Sequence, residues 1–350
     1  MAKSLLIITQ KVDENDDLLG FFVSWIREFS GHFSRVDVIT LGSGAYELPA
    51  NVHVYSLGKE SGTSKPLQAF RLVKLLLKYT RECDAVFAHM SPVFAILAWP
   101  FTALRRTKLA LWYLHRSLTL KLRIAMAMVD TLVTADADSL TVKSPKIIAV
   151  GHGIDVVRFA VPQHRYDISY RPLRILSVGR LSSIKGFETL IRAAARLRDD
   201  DVACEVRIVG KAVMPDDHRY EEQLHALVAR LGVADSVHFF GFVPYRDIAV
   251  HYRWADIVVG CTPTGGIDKA VLEGMAAGCV IVTSNTVMRK YIAPEYADDC
   301  IFRHDDPIDL AGKLEHLLSA DVSSIGSGMR YVVARDHNLS VTIGKIIELL

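Results

Sequence analysis

Short apolar runs alternate with longer amphipathic stretches along nearly the whole chain. Residues 5–9 read as a buried strand, 18–29 as an amphipathic helix and 36–41 as a second strand. Further strands are predicted at 52–55, 85–88, 109–113, 131–134 and 147–150, with helices at 67–79, 92–104 and 118–129. Residues 151–172, with two glycines, two prolines and mixed charge, interrupt the series and mark a domain boundary. The alternation then restarts, with strands at 174–178, 205–209, 237–240, 257–260 and 279–283 and helices at 187–197, 220–231, 245–254 and 268–277. Helices near 308–318 and 341–350, with another between them, close the chain. This pattern predicts an α/β protein of two Rossmann-like, doubly wound domains, 1–160 and 173–335, facing each other across a cleft. Residues 336–350 form a C-terminal helix expected to pack back toward the first domain.

The densest unit is TPTGGIDKAVLEGMAAGCVIVTS, residues 262–284. Gly265 and Gly266 permit a tight loop, helix formers follow from about Asp268, Gly278 stops the helix, and CVIVT supplies a strand covered on both faces. That order places a helix N-terminus at the edge of a sheet. Its free N–H groups and partial positive charge suit a phosphate.

Composition narrows the possibilities. At 350 residues, half of them hydrophobic, the chain can bury two ordinary cores. A net charge of +2 gives no broad basic field, so nucleic-acid binding is not expected. Cys83, Cys204, Cys261, Cys279 and Cys300 have no CxxC spacing and read as reduced core residues of a cytoplasmic protein, without disulfides or zinc. The N-terminal MAKSLLIITQ fits a first strand better than a signal peptide, and the most apolar run, 93–104, is shorter than a membrane span.

Several polar groups fall at the predicted ligand edge. Asp13, Glu14, Asp16 and Asp17 follow the first strand and either form a solvated turn or accept hydrogen bonds from sugar hydroxyls. His115 directly follows the strand at 109–113, as a packed residue or a functional one. Asp136 and Asp138 form a DxD sequence, which can hold a divalent metal but equally suits a turn. In SVGRLSSIKG, residues 177–186, Arg180 and Lys185 occupy the loop after the first strand of the second domain. Taken alone they are surface cations; beside the phosphate-suited helix they offer a fork of donors and a mobile point charge. Lys269 and Glu273 are one helical turn apart and can form an ion pair worth about 0.2–0.5 kcal/mol. Alternatively, Glu273 can accept hydrogen bonds from two neighbouring ribose hydroxyls.

In their order and spacing, SVGRLSSIKGFETLIRAAARL, VHFFGFVP and AVLEGMAAGCVIVTSN, supported by GHGIDVVRF and LWYLHRS, resemble the retaining nucleotide-sugar-dependent glycosyltransferases of family 4, glycosyl transferases group 1. The resemblance extends over nearly the whole chain and implies the B-type glycosyltransferase fold (GT-B). It implies transfer of a sugar from a nucleotide diphosphate sugar to an acceptor hydroxyl with retained configuration, without a metal or other cofactor. By the same resemblance, Arg180 and Lys185 hold the donor diphosphate, Gly179 lies among the donor contacts, and Glu273 binds the nucleotide ribose. His115 corresponds to a histidine near the transferred sugar, and Gly266 and Ile267 present backbone N–H groups to sugar or phosphate.

Two positions depart from the family. Gly265 stands where a first glutamate is expected, and Asp268, followed by Lys269, replaces a small glycine. Asp268 is either a helix cap or a substitute for the missing glutamate in hydroxyl recognition; Lys269 then offsets its charge near the phosphates or pairs with an acidic donor sugar. Asp13 and Asp16 are the acceptor-side candidates. The acceptor is expected to be a glycan or lipid-linked species of surface-glycan assembly. Arg105, Arg106, Lys108, Arg116, Lys121 and Arg123, interleaved with Trp99, Phe101, Trp112 and Leu120, suit a peripheral contact with anionic lipid at the inner face of the membrane, or ordinary helix packing with solvated charges. The alternative function is a non-catalytic nucleotide-sugar-binding protein with a degenerate site.

Overall fold

The computed structural model describes residues 3–115, 117–160, 171–263 and 265–350. The chain runs β1 (Ser4–Val12), α1 (Phe22–Ser30), β2 (Arg35–Ser43), β3 (Val52–Ser56), α2 (Lys65–Tyr79), β4 (Ala85–His89), α3 (Pro92–Arg105), β5 (Lys108–Trp112), α4 (Leu120–Met128), β6 (Thr131–Thr134) and β7 (Ile147–Ala149). It continues through β8 (Leu173–Val178), α5 (Phe187–Asp199), β9 (Cys204–Val209), α6 (Pro215–Leu231), β10 (Val237–Phe239), α7 (Ala249–Trp254), β11 (Ile257–Gly260), α8 (Lys269–Ala276) and β12 (Val280–Thr283). The last helices are α9 (Pro294–Cys300), α10 (Pro307–His316), α11 (Val322–Asp336) and α12 (Leu339–Leu349).

The first unit comprises Met1–Gly153, Pro244–Arg246 and Asn338–Leu350. Its sheet has the order β3-β2-β1-β4-β5-β6-β7, with every pair parallel. Strand side chains alternate between faces. Leu5 and Ile7 of β1 therefore join a core with Phe22 and Trp25 of α1 and with Leu339, Ile343 and Ile346 of α12. Leu6 and Ile8 point the other way, toward Leu76 of α2, Phe94 of α3 and Leu122 of α4. The unit ends at Gly153 rather than at 160, because the next residues belong to the second core. There the Ile154 N–H donates to the His337 carbonyl at 2.6 Å, and the buried Phe159 ring meets Tyr252 edge-on at 5.3 Å.

Two helices begin four residues later than predicted. α1 begins at Phe22 because Asp16 accepts hydrogen bonds from the Leu18 and Leu19 N–H groups at 3.0 and 2.8 Å, while the Gly20 N–H closes on the Asp16 carbonyl at 3.2 Å. This local side-chain capture winds the chain into turns in place of a first helical turn. α7 likewise covers only Ala249–Trp254.

The second unit comprises Ile154–Val243 and Asp247–His337. Its parallel sheet has the order β10-β9-β8-β11-β12, so chain progression reverses between β8 and β11. The loops leaving those two strands flank a topological switch point, where open α/β sheets take ligands. Gly274 lets α8 lie close on β11, since a Cβ there would stand 2.7 Å from Val258 Cγ2. No helix among the described residues is long and apolar enough to cross a membrane.

Candidate functional site

The loop after β8 carries Arg180 and Lys185, and the loop after β11 carries Gly265 to Asp268 into α8. Lys185 Nζ lies 2.8 Å from Asp268 Oδ2, an ion pair between residues 83 positions apart. Thr262 Oγ1 donates to the same carboxylate oxygen at 3.1 Å, and Oδ1 accepts from the Ala270 N–H at 3.1 Å, capping α8. Burial acts to raise the pKa of this carboxyl, but the Lys185 charge and hydrogen bond, with those from Thr262 and Ala270, outweigh it and hold the pKa below its ordinary value. Asp268 is therefore a helix cap and a counter-ion at once.

Glycine makes room for this arrangement. A Cβ on Gly179 would stand 3.0 Å from Lys185 Cε, so the bare backbone leaves a path for the lysine stem. Gly210, just after β9, has φ +146, and a Cβ there would fall 1.8 Å from the Gly179 carbonyl oxygen. Arg180 is held separately: its Nε lies 3.4 Å from Asp217 Oδ2, and that oxygen also accepts from the Met214 N–H at 3.0 Å at the start of α6. With 38% of its side chain exposed, Arg180 keeps guanidinium donors open to solvent.

On α8, Lys269 Nζ and Glu273 Oε1 are 2.8 Å apart, the ion pair the spacing allowed. Tyr252, fully buried, donates from its hydroxyl to Glu273 Oε2 at 3.0 Å, and its pKa is pushed up by burial first and the Glu273 charge second. Burial pushes the Lys269 pKa down; Glu273 opposes the shift without cancelling it. Asn285, absent from the sequence-derived candidates, braces the preceding loop. Its Nδ2 donates to the Gly266 carbonyl at 2.8 Å, and its Oδ1 accepts from the Val287 and Gly265 N–H groups at 3.2 and 3.4 Å. The available signal was its place just after the last strand of the sheet, facing back onto a glycine loop. Among the described residues the N–H groups of Gly266 and Ile267 have no acceptor. Each of the three cations, Arg180, Lys185 and Lys269, thus has a carboxylate partner.

The remaining candidates lie in the first unit. His115 is exposed, three residues beyond β5, with its ring edge-on to Tyr113 at 5.4 Å. Asp13 accepts from the Asn15 and Ala45 N–H groups at 3.0 and 3.2 Å and lies 3.4 Å from Lys11 Nζ. Together with the turn-forming role of Asp16, this uses much of the acceptor capacity of the acidic loop for its own backbone. Asp136 accepts from the Asp138 N–H at 2.8 Å and starts a short 3-10 turn, and no group of three or more His, Cys, Asp or Glu among the described residues is arranged to hold a metal ion. On the basic face, Trp112 is a correction: it is buried against Trp25 at 4.8 Å and takes no part in any surface. Phe101 packs partly into the core, and Arg116 lies outside the described residues. His89, which no local signal distinguished, ends β4 beside β1, stacks on Phe22 at 3.6 Å and has Nδ1 3.1 Å from Thr9 Oγ1; burial drives its pKa down to about 3.

Residues 172–320 match the family model described as Glycosyl transferases group 1. Over that span the second unit is similar to the group 1 glycosyltransferases. Over 221 residues the chain is 28% identical to the amylovoran biosynthesis glycosyltransferase AmsK of Erwinia amylovora, covering 59% of this chain and 53% of that protein. It is 27% identical over 183 residues to a D-inositol 3-phosphate glycosyltransferase of Geodermatophilus obscurus, covering 50% and 40%, and 30% identical over 145 residues to the putative colanic acid biosynthesis glycosyltransferase WcaL of Escherichia coli, covering 40% and 34%. The chain thus spans about half the length, or less, of these curated relatives. In fold it is similar to HepE of Anabaena in complex with UDP, with a TM-score of 0.75 at 18% identity, covering 99% of this chain and 98% of that one. Sucrose-phosphate synthase of Thermosynechococcus elongatus gives a TM-score of 0.76 at 16% identity over the same shares of the two chains. The architecture is GT-B, and Arg180, Lys185, Asp268 and Glu273 all fall inside the span matched by the group 1 model.

Proposed function

We propose that the chain is a retaining, metal-independent glycosyltransferase that moves a sugar from a nucleotide diphosphate sugar to a hydroxyl of a glycan or lipid-linked acceptor in surface-glycan assembly. The observation that carries the reading is the convergence of Lys185, the capped N-terminus of α8 and the Tyr252-braced Glu273 at the switch point between β8 and β11. Charge develops on the departing diphosphate as the bond from the anomeric carbon to the phosphate oxygen breaks. Lys185 and the open donors of Arg180 are placed to stabilise it, as the helix N-terminus is. The new bond forms from the acceptor oxygen to the same face of the anomeric carbon, and the acceptor proton passes to the leaving phosphate oxygen. Glu273 accepts hydrogen bonds from the ribose, and the family resemblance assigns His115 a role toward the transferred sugar. The UDP bound to HepE supports a nucleotide donor, and the names of AmsK and WcaL support glycan assembly. The five free cysteines support action in the cytoplasm.

The test is turnover with a panel of UDP, GDP, ADP, CMP and dTDP sugars, read by NMR for product configuration. At least one donor is expected to react with retention, at a rate unchanged by EDTA, and Lys185→Ala is expected to lower kcat/KM on the order of 100-fold. Inversion, or a rate that EDTA abolishes, would refute the reading. Thermal stabilisation by a nucleotide without any turnover would instead favour a binding protein, the reading that Gly265 in place of a glutamate motivates.

A further inference from the structure

The charge of this protein is segregated. Residues 62–129 hold eleven Lys and Arg against two Asp and Glu; with a whole-chain total of +2, the rest of the chain is net negative by seven. The segment builds α2, α3 and α4, which cover one face of the first sheet, α2 beside α3 and α3 beside α4. None of the three helices contains an acidic residue. The two carboxylates of the segment, Glu82 and Asp84, follow α2 at the start of β4, where Asp84 accepts from the Ser4 N–H at 2.7 Å.

The outward sides of these helices are also apolar. On α2, Leu67, Phe70 and Leu77 share a helical stripe and are 44%, 66% and 45% exposed, while the core-facing Leu72 and Leu76 are buried. Leu104 at the end of α3 is 85% exposed, Leu120 at the start of α4 is 73% exposed, and Trp99 is 38% exposed. Large side chains in such numbers gain nothing from water, and cations at Arg71, Lys74, Arg105, Arg106, Lys121 and Arg123 surround them.

We infer that the outer face of α2, α3 and α4 docks on an anionic lipid surface. Its exposed aliphatic and aromatic residues enter the headgroup and acyl boundary, and its lysines and arginines pair with lipid phosphates. Charge complementarity favours this occupant over a second copy of the chain, because the same all-basic face would repel itself. The interleaving of cations with bulky aliphatic residues favours it over nucleic acid, which is read by polar and stacking groups. The inference is independent of the reaction proposed for the second unit.

Flotation of the full chain with vesicles of phosphatidylcholine alone, and with phosphatidylglycerol added, tests it. Binding is expected only with phosphatidylglycerol and is expected to fall with added salt. The variant Lys74→Glu, Arg105→Glu, Arg106→Glu, Lys121→Glu is expected to weaken binding on the order of 100-fold or more. Phe70→Ser with Leu104→Ser is expected to weaken it about tenfold through the lost apolar insertion. Because all six positions are exposed, the variants are expected to keep the wild-type melting temperature, which separates loss of docking from loss of fold. Equal binding to both vesicle types, equal binding by the charge-reversed variant, or retention on duplex DNA without vesicle binding would each overturn the inference.

Discussion

Asp268 is the position at which one substitution series separates two physical roles. Asp268→Asn keeps a helix cap, since Asn and Asp cap about equally well; its amide oxygen takes the place of Oδ1, and its NH2 group faces Thr262, whose hydroxyl can turn to accept. It removes only the charge that holds Lys185. The two side chains of that pair are 10% and 24% exposed, so Lys185 can partly rehydrate once released. The loss is expected at the lower end for a charge-assisted hydrogen bond, about 1.5 kcal/mol. Asp268→Ala also removes the cap, about 1 kcal/mol, and the Thr262 bond, up to about 1 kcal/mol, for a total near 3 kcal/mol. Amide exchange in α8 (Lys269–Ala276) reads these losses where they arise, free of the complication of two unfolding units. Exchange should accelerate about tenfold in the Asn variant and on the order of 200-fold in the Ala variant. Equal acceleration in both would mean that the cap contributes nothing, and rates within twofold of wild type in both would refute the claim that this carboxylate holds the helix. The sign of the pH dependence follows from the lowered folded pKa. The stabilisation is fully present above the ordinary value of 3.8 and is lost as pH falls below it through the folded pKa, so the wild-type advantage over Asn should vanish in acid.

Two further outcomes are expected. With the pKa of His89 near 3 in the fold and 6.5 when unfolded, the unfolded chain takes up a proton first on acidification; stability is full above about pH 6.5 and falls below it by at most about 1.4 kcal/mol per pH unit, so melts between pH 7 and 5 should show a loss that His89→Gln flattens, and an unchanged slope in that variant would assign the loss elsewhere. Tyr252→Phe leaves Glu273 Oε2 without its 3.0 Å donor, so calorimetric titration with nucleoside diphosphates should show weaker affinity by about 1–3 kcal/mol with a smaller change in kcat, whereas unaltered affinity would remove Tyr252 from any positioning role.

Much of this architecture is written locally. Strand and helix alternate in apolar runs whose lengths already separate the two periods, so both parallel sheets and the loops at their edges follow from the chain. Interactions within one turn are equally visible, as the Lys269–Glu273 pair shows. What the pattern does not contain is the partner of a side chain a domain's length away. Lys185 and Asp268 each look like independent surface or capping residues until the switch point folds them together. The same holds for Asn285, whose amide serves a loop 19 residues earlier, and for His89, whose burial depends on Phe22 and Thr9. Trp112 departs from the expectation for a related reason: its charged neighbours in sequence lie on α3, on α4 and at the exposed first residue of β5, while the strand turns its indole inward. The early start expected for α1 failed because Asp16 competes for the backbone, a contest that apolar periodicity does not register.

The interlock of Gly210, Gly179 and Lys185 bears on how such domains can be recombined. A side chain at 210 would strike the carbonyl of 179 at 1.8 Å, and a side chain at 179 would crowd the stem of the lysine at 3.0 Å. The loop after β8 is thus portable only together with the glycine that closes β9, some thirty residues downstream. A chimera that imports the cationic loop from another scaffold while keeping a bulkier residue at 210 would force the loop's backbone outward and carry its ammonium away from the sheet edge. Moving this cationic loop between proteins is a two-segment graft, and the second segment supplies only room for the backbone.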